Sequence, residues 1–319
     1  MSVSYKKYLY GPKAPETMGD LHLRCIYSSK PGNCEGLTRG VTSVVPEDAA
    51  EGSGHPRYAL IMLQYRRGHL FKEIFGSIIG QDAPVDVYIW NNNVSPKARC
   101  GMEKAARALI YRAVKSGKVN AIRSLWIHHS PVNIGPPGAY VLANTVAPLY
   151  DHLMFLDDDS ASTGSMVSTF VEEAKMYPRD MISTWPLKFL NMHNYWDRIG
   201  STKHEVVAYA GSAQFIAPAR VFGDIDDMFN YFPKKFMSVT DLWLNAYICD
   251  VHGGQLRRSG LPEHASLDLR GREDKRKSVA LSEYAGMRAL KTEFMQYIAS
   301  TSDGGMLQRY FQESTDVAG

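Results

Sequence analysis

Cysteine is scarce, and none of Cys25, Cys34, Cys100 and Cys249 falls in a paired CxxC spacing, so neither a zinc centre nor a dense disulfide framework is indicated. This predicts reduced thiols in a cytoplasmic protein. Long apolar runs are missing: no stretch of about 18 uncharged apolar residues occurs, and the opening MSVSYKKYLYGPKAP has no hydrophobic segment of the secretory kind. The expectation is therefore a protein without a membrane anchor. Charge of either sign is nearly balanced, 36 Lys and Arg against 33 Asp and Glu, far from the cationic density that by itself marks a nucleic-acid binder. The phosphate-binding GxxxxGK[ST] loop is also lacking, since Gly117-Lys118 runs into Val119 without the upstream glycine.

What is present is a chain of 319 residues, 45% hydrophobic, long enough for one elaborated α/β domain. Residues 1–54, rich in Gly, Pro, Ser and charge, read as an irregular arm. Order is expected from Tyr58-Ala59-Leu60-Ile61-Met62-Leu63, an apolar run of the buried-strand type, followed by a helix near 69–79 and a second strand over Val85 to Trp90. Lys97 to Ser116 has helical spacing with Gly117 as its stop, Val119 to His128 reads as a third strand, Ala139 to Tyr150 as a helix, and His152 to Leu156 as a fourth strand. Alternation of strand and helix predicts a mostly parallel, doubly wound sheet.

Ligands of such sheets lie beyond the carboxyl ends of the strands. Four polar clusters follow four successive strands: Gln64 to Arg67, Asn91 to Asn93, Asn133 to Gly138 and Asp157 to Asp159. Each alone reads as a turn; together they are expected on one rim. The aspartate triplet carries most weight, because charge at the mouth of a buried strand needs neutralising, and hard carboxylate oxygens suit Mg²⁺ or Mn²⁺ with positions left for phosphates. Capping of the helix expected from Gly164 to Met176 accounts for one acid, not three.

These motifs resemble a GT-A glycosyltransferase: a strand ending in Ile89-Trp90-Asn91-Asn92, the Asn133-x-Gly135 turn before a helix, the strand closing on Asp157-Asp158-Asp159, and Asp241-Leu242-Trp243-Leu244 on a later helix. Within that fold they are most similar to the exostosin-type branch and its nucleotide-sugar-dependent relatives, over about Tyr58 to Arg258. The resemblance implies a Rossmann-like, mostly parallel sheet flanked by helices with a smaller acceptor-side half: a catalytic domain over 55–270, divided into a nucleotide-sugar half (55–160) and an acceptor half (161–270), then a C-terminal loop and helix over 271–319. It implies that Asp159 binds Mn²⁺ or Mg²⁺ directly, that Asp157 contacts the ribose or reaches the metal through water, that His264 completes the shell, and that Asp158 orients the donor sugar or the metal's shell. Gln64, Arg66, Asn91, Asn92, Asn133 and Gly135 would line the nucleotide site, Gly211 and Ser212 would touch the donor sugar, and Arg257 would meet the diphosphate. Asp241 would be catalytic, as a base in an inverting displacement or as a stabiliser of oxocarbenium charge in a retaining one.

Two other enzyme classes that place acids after a strand fit less well. A haloacid-dehalogenase-type phosphatase needs its Asp-x-Asp near the chain start, and a sugar nucleotidyltransferase opens with a Gly-rich, Lys-containing loop that Gln64-Tyr65-Arg66-Arg67 is not. The expected activity is transfer of a sugar from a UDP-sugar to a hydroxyl on a glycan, a protein or a hydroxymethylated pyrimidine of DNA. The alternative is a catalytically silent sugar-nucleotide or glycan-binding module on the same fold. Trp185, Phe189, Tyr195 and Trp196 are aromatic candidates for the acceptor side, against a plainer reading as core.

Overall fold

A computed structural model describes residues 57–116, 121–191, 194–262, 266–269 and 285–301. The arm over 1–54, Gly117, His264 and the charged run 270–277 lie outside the described residues. In chain order the main elements are β1 (Tyr58–Gln64), α1 (Phe71–Ile79), β2 (Val85–Asn91), α2 (Pro96–Lys115), β3 (Ile122–His129), α3 (Pro137–Val146), β4 (His152–Leu156), β5 (Ser160–Ser162) and α4 (Met166–Met176). There follow β6 (Met181–Ser183), β7 (Pro186–Phe189), β8 (Arg198–Ile199), β9 (Tyr209–Ala210), β10 (Gln214–Pro218), α5 (Ile225–Asn230), α6 (Thr240–Asp250), β11 (Leu256–Arg258), β12 (Ser266–Asp268) and α7 (Ala285–Thr301).

The central sheet has seven strands in the order β11-β6-β10-β4-β1-β2-β3, all running the same way except β10. This is the mixed α/β, mostly parallel architecture expected. β1 shows why: Ala59 and Ile61 join one hydrophobic cluster with Tyr140, Phe155 and Trp243, while Leu60 and Met62 join another with Phe71, Ile74 and Ile89. A strand buried on both faces must be apolar at every position, hence the unbroken run in the sequence. A three-stranded sheet, β8-β7-β9, organises the stretch 189–205, and β12 pairs with β5.

β9 and β10 are separated by an interruption at Gly211 to Ala213. Gly211 donates its N–H to the Trp185 carbonyl at 2.8 Å, which turns the chain out of register. The first turn of α6 has no side-chain cap, and α2 is capped at its start by Ser95 and ends at Ser116, before the Gly117 expected as its stop. Cys249 is a free buried thiol, but Cys100 is disulfide-bonded, contrary to the reduced state expected throughout; pairing depends on proximity in space, which spacing along the chain does not reveal. Among the described residues no helix is long and apolar enough to cross a membrane.

Candidate active site

The register aligns the ends of β1, β2 and β4, with Gln64 opposite Asn91 and Met62 opposite Leu156, so the polar clusters after these strands share one rim. The triplet leaves β4 held by its backbone: Asp157 N–H donates to the Ala213 carbonyl at 3.0 Å, and the Asp159 carbonyl accepts from Leu269 N–H at 2.8 Å. The three carboxylates then meet different fates.

Asp158 is a brace. It is 7% exposed and accepts from Tyr65 N–H at 2.8 Å, from Arg67 Nη1 at 2.6 Å and from Gln64 Nε2 at 3.4 Å. Burial pushes its carboxyl up, with Arg67 working against that. Asp159 shares the same Arg67 nitrogen at 3.2 Å and accepts from the Ser160 hydroxyl at 3.2 Å. Asp157 has no side-chain hydrogen bond among the described residues, and its carboxyl lies well above the usual range. Burial is the largest cause, followed by Asp159 and Asp158, with Arg67 opposing and Asp241 adding to the rise. A half-buried acid with no protein donor, among two further acids and one guanidinium, is a place for a cation. No group of three or more His, Cys, Asp or Glu among the described residues forms a complete metal shell. Asp157 and Asp159 carry hard carboxylate oxygens, the donor type that Mg²⁺ or Mn²⁺ takes alongside phosphate and water.

Arg67, rather than the Arg66 that was expected, is the arginine that contacts the triplet. Arg66 is exposed and lies over the neighbouring Tyr65 ring, 5.0 Å from its centroid. Gln64 is buried, and among the described residues its Oε1 has no partner while its Nε2 donates to Asp158.

The asparagines are used by the fold. Asn92 accepts from Trp90 Nε1 at 2.8 Å and from Ile134 N–H at 3.3 Å, and donates to the Gly135 carbonyl at 2.8 Å, clamping β2 to the loop before α3. Asn91 bonds His129 Nδ1 at 3.0 Å and accepts from Asn93 N–H at 2.9 Å; Glu103 holds the other His129 nitrogen at 2.6 Å. With both amide ends engaged and 1% exposure each, Asn91 and Asn92 shape the rim rather than offer it free groups. Asn133 accepts from Gly135 N–H at 3.0 Å, and Gly135 has φ 73°, a left-handed turn that glycine tolerates. Gly138 is glycine because the Trp90 indole lies where a Cβ would stand, at 2.2 Å.

Gly211 and Ser212 lie in the interruption that also supplies the Ala213 carbonyl to Asp157, so they border the triplet. A Cβ on Gly211 would meet the Trp185 carbonyl at 3.0 Å and the Trp185 Cβ at 3.1 Å, which seats this 43% exposed indole against the same loop. Phe189 and Tyr195 are buried, as core, while Trp196 is exposed.

Asp241 opens α6 and is engaged at both oxygens. Oδ2 accepts from Lys291 Nζ at 2.6 Å and from Tyr209 Oη at 2.5 Å, and Oδ1 accepts from Leu242 N–H at 2.9 Å. Burial is the largest single influence and opposes its charge, but Lys291, the Tyr209 hydroxyl and the Leu242 N–H together outweigh it and hold the carboxyl below the usual range. Tyr140 of α3, hydrogen-bonded to Thr240, feels both Asp241 and Asp157, and burial pushes its phenol well up. These couplings bring Asp241 and the triplet into one electrostatic unit. Arg257 does not join it. Its Nε donates to Asp180 at 2.5 Å, at the start of β6, and its guanidinium stacks on Tyr177 at 4.2 Å. Asp180 precedes β6, at the end of the sheet opposite the rim, so this bond holds the Arg257 side chain away from it.

No family model matches the chain, and no curated protein matches it. Solved structures do, at low identity. It is similar to S. aureus TarS 1–349 in complex with UDP-GlcNAc (14% identity, 81% of this chain and 71% of that one, TM-score 0.48). It is also similar to the mannosyltransferase PcManGT from Pyrobaculum calidifontis in complex with GDP-Man and Mn²⁺ (11% identity, 99% and 85%, TM-score 0.46). The match to TarS 1–349 with UDP (14% identity, TM-score 0.41) takes in 66% of this chain and spans 59% of that one. None of the three is described as exostosin-type.

Sequence reasoning missed Arg67, Lys291, Tyr209 and Tyr140. Arg67 stood one residue from the position chosen; Lys291 comes from fifty positions beyond Asp241 and carried no local signal.

Proposed function

We propose that this protein is a metal-dependent glycosyltransferase of GT-A type that moves a sugar from a UDP-sugar to an acceptor hydroxyl. The supporting observation is the division of labour within the triplet: Asp158 and Arg67 brace the strand end, while Asp157 is left without a protein donor beside Asp159 and within the field of Asp241. Asp157 and Asp159 would hold Mn²⁺ or Mg²⁺, which when bound supplies Lewis-acid stabilisation of a departing diphosphate. Gln64 Oε1 and the 211–213 loop face the donor, with 55–160 as its half of the domain and 161–270 as the acceptor half. Asp241, kept ionised by Lys291 and fixed by Tyr209, supplies negative charge opposite the donor. The exostosin-type branch rests on the sequence motifs alone. His264 as a metal ligand, and Arg257 as a diphosphate contact, are not carried into this proposal.

The test is calorimetric titration of UDP with and without Mn²⁺ on the wild type and Asp157→Asn, together with hydrolysis of UDP-sugars. Mn²⁺-dependent binding lost in the variant is the expected result. Equal UDP affinity with and without metal would defeat the assignment. One observation favours a second reading, a sugar-nucleotide-binding module without turnover: Asp241 has both oxygens engaged, one by a lysine, which weakens it as a base. UDP-sugar binding without hydrolysis or transfer to any hydroxyl would select that reading.

A further inference from the structure

Three cations gather on one aromatic pair beside Asp241. Tyr195 and Trp196 meet edge to face at 4.9 Å. The Arg198 guanidinium lies 4.8 Å from each ring centroid, that of Arg288 lies 5.0 Å from Trp196, and Lys291 Nζ lies 4.7 Å from Tyr195. Lys291 is buried and committed to Asp241, with a further bond to the Tyr195 hydroxyl at 3.3 Å. Arg198 and Arg288 form no ion pair among the described residues. The nearest acid in sequence, Asp197, takes the Asn191 amide at 2.5 Å instead. Two guanidinium groups are thus lined up on an indole, with their donors unspent, on the outer side of a lysine that touches the proposed reaction centre.

Aromatic stacking fixes a guanidinium's plane without using its N–H donors, which leaves them aimed for a ligand. Planar donor forks match the oxyanions of phosphate and carboxylate, and two adjacent positive charges with no counterion among the described residues favour binding one. Position decides which ligand meets them. Tyr195 connects this pair through Lys291 to Asp241, and the exposed Trp185 indole sits over the loop that borders the triplet. The patch therefore flanks the acceptor side of the reaction centre, apart from the diphosphate, which belongs with Asp157 and Asp159.

We infer that Arg198 and Arg288, held on Trp196, form an oxyanion subsite that recognises a phosphate or carboxylate carried by the acceptor. This rests on the glycosyltransferase reading, but its test does not need turnover. The full chain, labelled with ¹⁵N-arginine and saturated with UDP and Mg²⁺ so that the donor phosphate site is filled, is titrated with inorganic phosphate, sodium acetate and sodium chloride at matched ionic strength. The Arg198 and Arg288 Nε resonances, assigned through Arg198→Lys and Arg288→Lys, should shift saturably, with phosphate or acetate binding about tenfold tighter than chloride. A phosphate preference marks a phosphorylated acceptor and an acetate preference a carboxylated one; both sustain the subsite. Trp196→Ala should weaken that binding about tenfold by freeing both guanidiniums, and Trp196→Phe should retain it. Shifts that follow ionic strength alone, or Arg198 and Arg288 Nε resonances that stay in place under phosphate and acetate, would overturn the inference. Failure of UDP to bind would instead count against the glycosyltransferase reading, leaving the anion titration to be judged by itself.

Discussion

Replacing Arg67 with Met tests the architecture of the acidic strand end. Its guanidinium is the cation shared by Asp158 and Asp159, at 2.6 and 3.2 Å, and the three side chains are 10%, 9% and 15% exposed. Solvent at such exposure screens little, so the loss is that of a buried pair: one charge removed leaves the other uncompensated, at about 3–5 kcal/mol. Asp158 keeps the Tyr65 N–H but loses its only charged partner among the described residues. Equilibrium urea unfolding at pH 7.5, in EDTA, reads this as a lower midpoint at unchanged slope. In Arg67→Met/Asp158→Asn the nearer and more deeply buried of the two orphaned carboxylates is neutralised, and the double variant should recover at least about half of the loss, a coupling of the size buried pairs show. A loss below about 1 kcal/mol for Arg67→Met, the range of exposed pairs, would refute the brace. So would a double variant no more stable than the single one.

Asp157→Asn should raise the melting temperature in EDTA, because an amide buries more cheaply than a carboxylate without a donor, and should abolish stabilisation by Mn²⁺; a melting temperature that falls would contradict the assignment. The pH dependence has a definite sign. Asp157 and Asp158 both have folded-state carboxyls raised above the ordinary 3.8, so the folded chain holds protons that the unfolded chain has released. Stability in EDTA should therefore decline as pH climbs from near 4 through the raised values, and Mn²⁺ should flatten that decline by favouring the ionised pair; parallel curves with and without metal in urea melts would be inconsistent with it. Gly138→Ala should cost about 1–3 kcal/mol by driving a methyl into the Trp90 indole, seen as a lower urea midpoint together with altered near-ultraviolet circular dichroism.

Much of the fold was legible because both faces of the sheet are covered. β1, β2 and β4 are apolar at nearly every position, and their ends are marked by abrupt polarity at Gln64, Asn91 and Asp157. The triplet was legible for the same reason. What each acid does was not, since Asp157, Asp158 and Asp159 are indistinguishable as letters and differ only in which donors the folded chain brings to them. Arg66 and Arg67 are separated by a turn after β1 that no periodicity describes. Asn91 and Asn92 had the composition of ligand contacts, but the fold consumes them in joining β2 to β3 and to the loop before α3. Arg257 was placed correctly in order along the chain and wrongly in direction, because a strand alternates its side chains and Asp180 decides where this one rests.

Helix α7 does two jobs at once. Phe294, Met295 and Ile298 are buried, with Phe294 against Phe232 and Phe236, while Lys291 on the same helix neutralises Asp241. A shortened version of the protein that stopped after β12 would therefore lose a wall of its interior and the counterion of its most guarded acid in a single cut.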